Sequence, residues 1–223
     1  SRFIETSNLF TNQLIQHILL EFSLWHKAKF HVRIAHLQYV AAVIKDEKKF
    51  YRTKFGVQFF LDALRQHFNS AEENPDEQKQ LRSAVYGIIK YFLQRHPRLE
   101  EINALLSSIS TLSTSSDSIT RELLEFILAL LDPPSAATDT TIGLLCEPSM
   151  SESLYALLTV SNLSSETKEI VMKIIKYLLA SRRVPQQVRT QLRLENHHIG
   201  FGGLISGLSA QELNVSLVRD ILN

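Results

Sequence analysis

A run of basic residues between positions 45 and 54 is the part of the sequence best suited to bind an anionic partner. Its cations recur at helical spacing, which predicts that they line one helix face, with aromatic side chains between them. Clusters of about four to eight basic residues can contact anionic lipid headgroups, and an acidic protein would use the same charges. The alternative is a solvated helix face on which Asp46 and Glu47 offset part of the charge. The candidate interaction surface consists of Lys45, Lys48, Lys49, Tyr51, Arg52 and Lys54.

Four histidines within twenty residues raise the question of a metal site. Histidine ligands on a helix need a shared face, for example at positions i and i+4, together with carboxylate or thiolate partners. These four are spaced nine, five and five residues apart, which distributes them around helices and a loop. We therefore expect surface or hydrogen-bonded histidines with no metal and no other cofactor, and the adjacent His197 and His198 point to no site either. The four are His17, His26, His31 and His36.

The motifs that accompany common catalytic sites are absent from the sequence. The glycines at 200–203 have neither a following Lys-Ser/Thr nor the Gly-x-Gly-x-x-Gly spacing of a phosphate-binding loop. No Gly-x-Ser-x-Gly nucleophile elbow is present, and Cys146 beside two leucines is predicted to be a small buried hydrophobe. We expect no enzymatic activity. A hydrolase that uses Ser206 or Cys146 is the alternative, and it would require a neighbouring base that the sequence does not supply.

The composition is typical of a helical globular protein. The chain has 223 residues, of which 44% are hydrophobic, with only 7 glycines and 6 prolines. A net charge of +1 provides no global field that would attract nucleic acid or a membrane. The single cysteine excludes an internal disulfide framework and fits a reducing cytoplasmic setting. No segment approaches the roughly 18–20 apolar residues of a membrane span, and a first residue other than methionine predicts a piece of a longer protein.

Apolar residues at helical spacing predict a succession of amphipathic helices. The first, which begins near position 11, is expected to bury the face that carries Leu14, Ile15, Ile18, Leu19 and Phe22. Further helices are predicted at about 30–45, 55–68, 75–95, 97–106, 119–131, 150–162, 166–182 and 210–222, with a short one opening at Pro185. Non-helical connections are predicted near Gly56, in the later part of the Ser/Thr-rich segment 107–118, and in the link that ends at Glu147.

Two nearly identical strings indicate that the chain is built from repeats. The string IIKYFL begins at Ile88, and IIKYLL begins at Ile174, 86 residues later. Another apolar helix lies midway, around 123–131, so the interval is near 43 residues. Armadillo and HEAT units span roughly 40–47 residues. We predict an all-α, armadillo/HEAT-like α-solenoid of about five helical units, which forms a single domain over residues 1–223.

Three strings near the N-terminus carry a family resemblance. They are LFTNQLIQHILLEFSLW from Leu9, FHVRIAHLQYVAAVIKDEKKFYR from Phe30, and KFGVQFFLDALRQHF from Lys54. With them, the chain resembles the neurobeachin and neurobeachin-like family of BEACH-domain proteins, in the helical region between a concanavalin-A-like domain and the BEACH and WD40 domains. The later string LRLENHHIGFGGLI is similar but less distinctive.

The resemblance implies a cytoplasmic scaffold fragment with armadillo-like repeats, from parent proteins similar to scaffolds in vesicle trafficking and membrane-protein sorting. Its partners would be proteins, including the flanking domains of the same parent chain, whereas the near-neutral charge argues against nucleic acid. Trp25 is a second aromatic candidate for the interaction surface, although its place at the end of a hydrophobic helix favours the core. Two alternatives stay open: a peripheral module that binds anionic lipid on endomembranes through the basic run, and an architectural spacer that binds nothing.

Overall fold

Helices make up the architecture of the chain. A computed structural model describes residues 10–69, 74–94, 96–132, 135–181 and 184, and within these ranges it contains helices and no strand. The all-α prediction is therefore confirmed. In chain order the helices are α1 (Ile15–Leu19, a π-helical turn), α2 (Phe22–Trp25), α3 (Phe30–Asp46), α4 (Lys48–Lys54), α5 (Gly56–His67), α6 (Pro75–Leu93), α7 (Leu99–Ser113), α8 (Asp117–Leu130), α9 (Ala136–Leu145), α10 (Pro148–Leu158) and α11 (Ser165–Ala180).

The chain divides into two compact units, Ser1–Phe92 and Leu93–Asn223. The single-domain prediction for residues 1–223 stays a prediction. Several predicted features lie outside the described residues: the helix from Pro185, the glycines at 200–203, Ser206, the histidine pair and the helix at 210–222.

An aromatic core holds the first unit together. Phe60 on α5 and Phe92 on α6 are fully buried, and their ring centroids are 5.8 Å apart. Phe22 on α2 meets Phe60 edge-on at 6.2 Å and Phe68 at 5.7 Å. Edge-to-face ring pairs at these distances stabilise the fold by more than the burial of their apolar area alone. Helices α2, α5 and α6 are thus fixed to one another by large rings.

The first helix buries only part of the predicted face. Leu14 and Ile18 were expected in the core, yet they are 41% and 47% exposed. Phe22 is buried as predicted, and the further buried residue of this region is Leu20. The helical backbone that starts at Phe10 widens into the π-helical turn of α1, where each turn takes more residues than an α-helix. This extra width shifts the phase of the side chains, so Leu14 and Ile18 turn outward.

Two short interruptions isolate α4 from its neighbours. The first is Glu47, whose φ of −132° and ψ of 51° end α3 one residue earlier. The second is Gly56, which has a left-handed φ of 68° and begins α5. The break predicted near Gly56 is therefore confirmed, and the basic run is confined to the last turn of α3 and the seven residues of α4.

Replacement of Gly56 by alanine is expected to lower the free energy of unfolding by about 1–2 kcal/mol, because a Cβ is strained in the left-handed region. A Cβ at Gly56 would meet no atom within 4 Å, so the effect comes from the backbone alone. Gly87→Ala is the matched control, because Gly87 lies inside α6, also with nothing within 4 Å. There alanine should stabilise by roughly 1 kcal/mol. Urea denaturation of both variants checks the two opposite signs.

In the second unit, hydrogen bonds join residues one repeat apart. At the N-terminal ends of α8 and α11, the Ser164 backbone N–H donates to Asp117 Oδ1 at 2.9 Å. At their C-terminal ends, the Tyr177 hydroxyl donates to the Leu131 carbonyl at 2.5 Å. The two helices therefore run parallel, as equivalent helices of successive solenoid units do. The paired residues are 47 and 46 positions apart, close to the interval of 43 estimated from the sequence.

Two Ser/Thr-rich segments are more helical than expected. The helix predicted to end near residue 106 continues as α7 to Ser113, and the link predicted to reach Glu147 contains α9. In both segments hydroxyls donate back to the carbonyl four residues earlier, as Thr111 does to Ser107 at 3.0 Å and Thr140 to Ala136 at 3.0 Å. Their hydroxyls thus bond within the helix instead of competing with it.

Candidate interaction surface

The structure divides the cations of the basic run between two helices. Lys45 lies in the last turn of α3, whereas Lys48, Lys49, Arg52 and Lys54 belong to α4. The prediction that they line one continuous helix face differs from the structure, because the backbone at the residue after α3 leaves the helical region. The cations remain neighbours in sequence at the α3–α4 junction, but they project from two helix segments.

Two lysines of the run are held by contacts within the first unit. Lys48 Nζ lies 4.3 Å from the centroid of the Tyr91 ring on α6, which is a cation–π distance. Lys54 Nζ donates to Gln16 Oε1 at 2.7 Å and lies 5.6 Å from the Phe50 ring centroid. These contacts fix the positions of the two ammonium groups and connect α4 with α1 and α6.

The other cations differ in exposure. Arg52 is half-buried, whereas Lys45 and Lys49 are exposed. Among the residues that the structure describes, no hydrogen bond or ion pair involves the ammonium group of either lysine. Their ammonium groups are therefore available to an external anion.

The aromatic member of the predicted surface lies in the core. Tyr51 is only 3% exposed, and burial, with smaller contributions from Glu47 and Asp46, raises the pKa of its hydroxyl. The exposed ring is that of the preceding residue, Phe50, which is 37% exposed and meets Tyr51 edge-on at 5.2 Å. Tyr51 in turn stacks on Phe55 with ring centroids 6.2 Å apart. Phe50 is thus the outer end of a series of packed rings.

An open depression of about 820 Å³ lies at the α3–α4 junction. It combines an aromatic ring, lysine side chains and two carboxylates, so it can receive an apolar side chain and bind an anionic group beside it. The lining residues are Asp46, Glu47, Lys48, Lys49, Phe50, Thr53 and Lys54.

In the histidine-rich region, His36 makes contacts that join helices. His36 is buried, and its Nε2 lies 2.6 Å from the Leu19 carbonyl oxygen. Because a carbonyl only accepts, Nε2 must carry the proton and donate. The half-buried Trp25 stacks on His36 at 4.2 Å and donates from Nε1 to the Ile18 carbonyl at 2.8 Å. These contacts attach α1 and α2 to α3. In the described part of the chain, no group of three or more His, Cys, Asp and Glu side chains could hold a metal ion.

Acidification below about pH 6.5 is expected to destabilise the first unit through His36. Burial lowers the pKa of His36, and the hydrogen bond to Leu19 opposes this only in part. The unfolded chain therefore binds the proton more readily, so the free energy of unfolding falls as the pH drops below the ordinary histidine pKa of 6.5. Urea denaturation between pH 8 and 5 should show a shallower decline for His36→Gln, and an equal decline in both proteins would contradict the assignment.

Cys146 has the environment that the sequence indicates. It is buried, and burial followed by the nearby Glu147 carboxylate raises the pKa of its thiol to about 11. At neutral pH the thiol is therefore protonated, whereas a nucleophile requires the thiolate. The prediction of a small buried hydrophobe is confirmed.

Comparison with known families shows which family the chain belongs to. Residues 1–138 match the family described as Neurobeachin/BDCP, DUF4704 alpha solenoid region. The chain belongs to this family. The match includes α1 to α8, so it covers the basic run and the depression beside it. It confirms the neurobeachin-type resemblance and the α-solenoid prediction.

One pair of stacked helices extends across the end of the matched residues. The hydrogen bonds between α8 and α11 join a helix inside the match to one outside it at a repeat-like spacing. No solved structure matches the chain. Across the described part of the chain, no helix has the length and apolar character needed to cross a membrane.

Proposed function

We propose that this chain is a non-catalytic segment of a neurobeachin-type scaffold and that it binds a protein partner at the α3–α4 junction. The observation that carries the proposal is an open depression lined by Lys49 and the exposed ring of Phe50, with the exposed Lys45 in the last turn of the preceding helix. Within the described residues, neither lysine ammonium group has a partner. Aromatic side chains are enriched in protein interfaces, and charged side chains at the rim of an interface favour association with a complementary partner.

The cellular role that we propose follows from the family. Membership of the neurobeachin-type solenoid family supports a segment of a larger cytoplasmic scaffold in vesicle trafficking and membrane-protein sorting. The partners would be proteins, among them flanking domains of the same parent chain. Parallel, stacked helices one repeat apart provide the extended surface that solenoids use for such contacts.

A peripheral membrane module is the second candidate. The exposed Lys45 and Lys49 favour it, because anionic headgroups attract basic clusters near a surface. Asp46 and Glu47 oppose it, since both carboxylates line the same depression and would face the anionic surface. We therefore place the protein partner first and the lipid surface second.

Photo-crosslinking from inside the depression tests the proposed function. Phe50→benzoylphenylalanine places a crosslinker at the exposed ring, and Tyr39→benzoylphenylalanine places the same group on α3 at an exposed site outside the depression lining. In cell extract, we expect discrete protein adducts at position 50 that are absent at position 39. The adducts should disappear when Lys45→Glu and Lys49→Glu are added together.

Lys79→Glu serves as the charge control. Lys79 is exposed on α6, twelve residues before Tyr91, which is about 18 Å along the helix axis. Adducts that survive Lys79→Glu and vanish with the double reversal support a partner at the α3–α4 junction. The proposed partner site would be refuted if positions 39 and 50 gave the same adducts. It would also be refuted if the double reversal left the adducts unchanged.

A further inference from the structure

We propose that the partner of the α3–α4 depression is an acidic peptide segment with a large apolar anchor side chain. This inference rests on the proposed function, and it specifies the chemistry of the partner. The anchor would pack against the Phe50 ring, and the flanking carboxylates would pair with Lys45 and Lys49.

Charge complementarity is the first reason for an acidic partner. Five cations and two carboxylates occupy residues 45–54, so the local charge is positive although the whole chain is close to neutral. Lys48 lies over the Tyr91 ring and Lys54 donates to Gln16, and these neutral partners do not cancel the charge. A partner segment with more carboxylates than cations would neutralise the exposed Lys45 and Lys49.

The packing of Phe50 is the reason for an apolar anchor. Its exposed face borders the depression, while its other contacts hold the ring in place: Tyr51 lies edge-on at 5.2 Å, and Lys54 Nζ lies 5.6 Å from the ring centroid. Behind it, the stacked Tyr51 and Phe55 lead to Phe59, whose ring centroid is 5.0 Å from that of Phe55. A ring that is already ordered loses little side-chain entropy on binding.

The shape of the surface favours a peptide over a membrane. A bilayer presents a broad anionic plane, which would bring Asp46 and Glu47 against like charge together with the lysines. A peptide can place its carboxylates only where the cations lie and can leave the two acidic residues to solvent. The depression of about 820 Å³ also lies within the range of about 300–1,000 Å³ that is common for ligand sites.

Selection from a random dodecapeptide library displayed on phage tests the partner chemistry. The full chain is immobilised, and bound phage are sequenced after elution. We expect enrichment of peptides with several Asp or Glu residues around one Phe, Trp, Leu or Ile. Synthetic copies of these peptides should bind roughly tenfold more weakly to the Lys45→Glu/Lys49→Glu variant, and more weakly at high salt. Lys79→Glu should bind them as the unchanged chain does.

Phe50→Ala tests the contribution of the apolar anchor to binding separately from the contribution of the charges. It should weaken the peptide with the apolar anchor roughly fivefold and leave a copy with serine at the anchor position unaffected. Flotation with phosphatidylcholine vesicles, with and without phosphoinositide, runs in parallel.

Three outcomes would overturn the proposal: no enrichment, an enriched pattern that is not acidic and apolar, or charge-dependent vesicle binding without peptide binding. If the photo-adducts at position 50 persist while the peptide pattern fails, only the partner chemistry is wrong; if the adducts fail as well, the proposed function fails with it.

Discussion

Phe60→Ala is expected to lower the free energy of unfolding of the first unit by about 3–5 kcal/mol, because it removes a fully buried ring and leaves a cavity. Phe60 contacts rings from three parts of the chain: Phe22 on α2, the adjacent Phe59, and Phe92 on α6. Its loss therefore removes the contact that joins α2 and α6 through α5. The chain contains one tryptophan, Trp25, so its fluorescence during urea denaturation follows the first unit specifically.

Phe50→Ala is the matched control for Phe60→Ala. It also removes a phenylalanine ring, but from the exposed end of the aromatic series, so we expect a change below about 1 kcal/mol. The two variants together separate folding from binding: Phe60→Ala should unfold the unit more easily, and Phe50→Ala should weaken the peptide without unfolding it. A cost below about 1 kcal/mol for Phe60→Ala would show that its ring is not part of the core.

The helices that the sequence predicted best are those with strong apolar periodicity and clear breaks. Phe30–Asp46 and Gly56–His67 differ from the predicted 30–45 and 55–68 by one residue at an end. The predicted burial of Leu14 and Ile18 failed because a π-helical turn changes the phase of the side chains, and residue types do not mark such a turn. Helix α9 was missed because its many threonines have low helix propensity, which their bonds to carbonyls within the helix offset.

The candidate surface was predictable in its charges but not in its exposed aromatic ring. Cations at close spacing are visible in the sequence, and Lys45 and Lys49 are exposed as a basic run predicts. The choice between Tyr51 and Phe50 depends on the phase of a seven-residue helix that begins after the break at Glu47. A one-residue error in phase turns a side chain by about 100°, because a helix has about 3.6 residues per turn. A rotation of this size separates the buried Tyr51 ring from the exposed Phe50 ring.

Asp117→Ala is expected to lower the free energy of unfolding of the second unit by about 2–3 kcal/mol, because it removes charge-assisted hydrogen bonds between successive repeats. Asp117 Oδ1 accepts from the Ser164 backbone N–H at 2.9 Å, and its Oδ2 accepts from the Ser164 hydroxyl at 2.9 Å and from Arg121 Nη2 at 3.0 Å. Without the carboxylate, the first N–H group of the α11 cap loses its partner. Hydrogen exchange of α8 and α11 amides, followed by mass spectrometry, should show faster exchange in both helices.

A second carboxylate that pairs with Arg121 supplies the control variant. Glu166 also lies 3.0 Å from Arg121 Nη2, but its side chain is 69% exposed, so Glu166→Ala should cost less than about 1 kcal/mol. Burial by itself would raise the pKa of Asp117, but hydrogen bonds from Thr167, Ser164 and Arg121 outweigh burial and hold it below the ordinary value of 3.8. The ionised carboxylate therefore stabilises the fold at pH values above 3.8, and this contribution is lost as the pH falls through the lower, folded-state pKa. The difference between Asp117→Ala and the unchanged chain should shrink over that acidic range, whereas a cost independent of pH would assign it to packing alone.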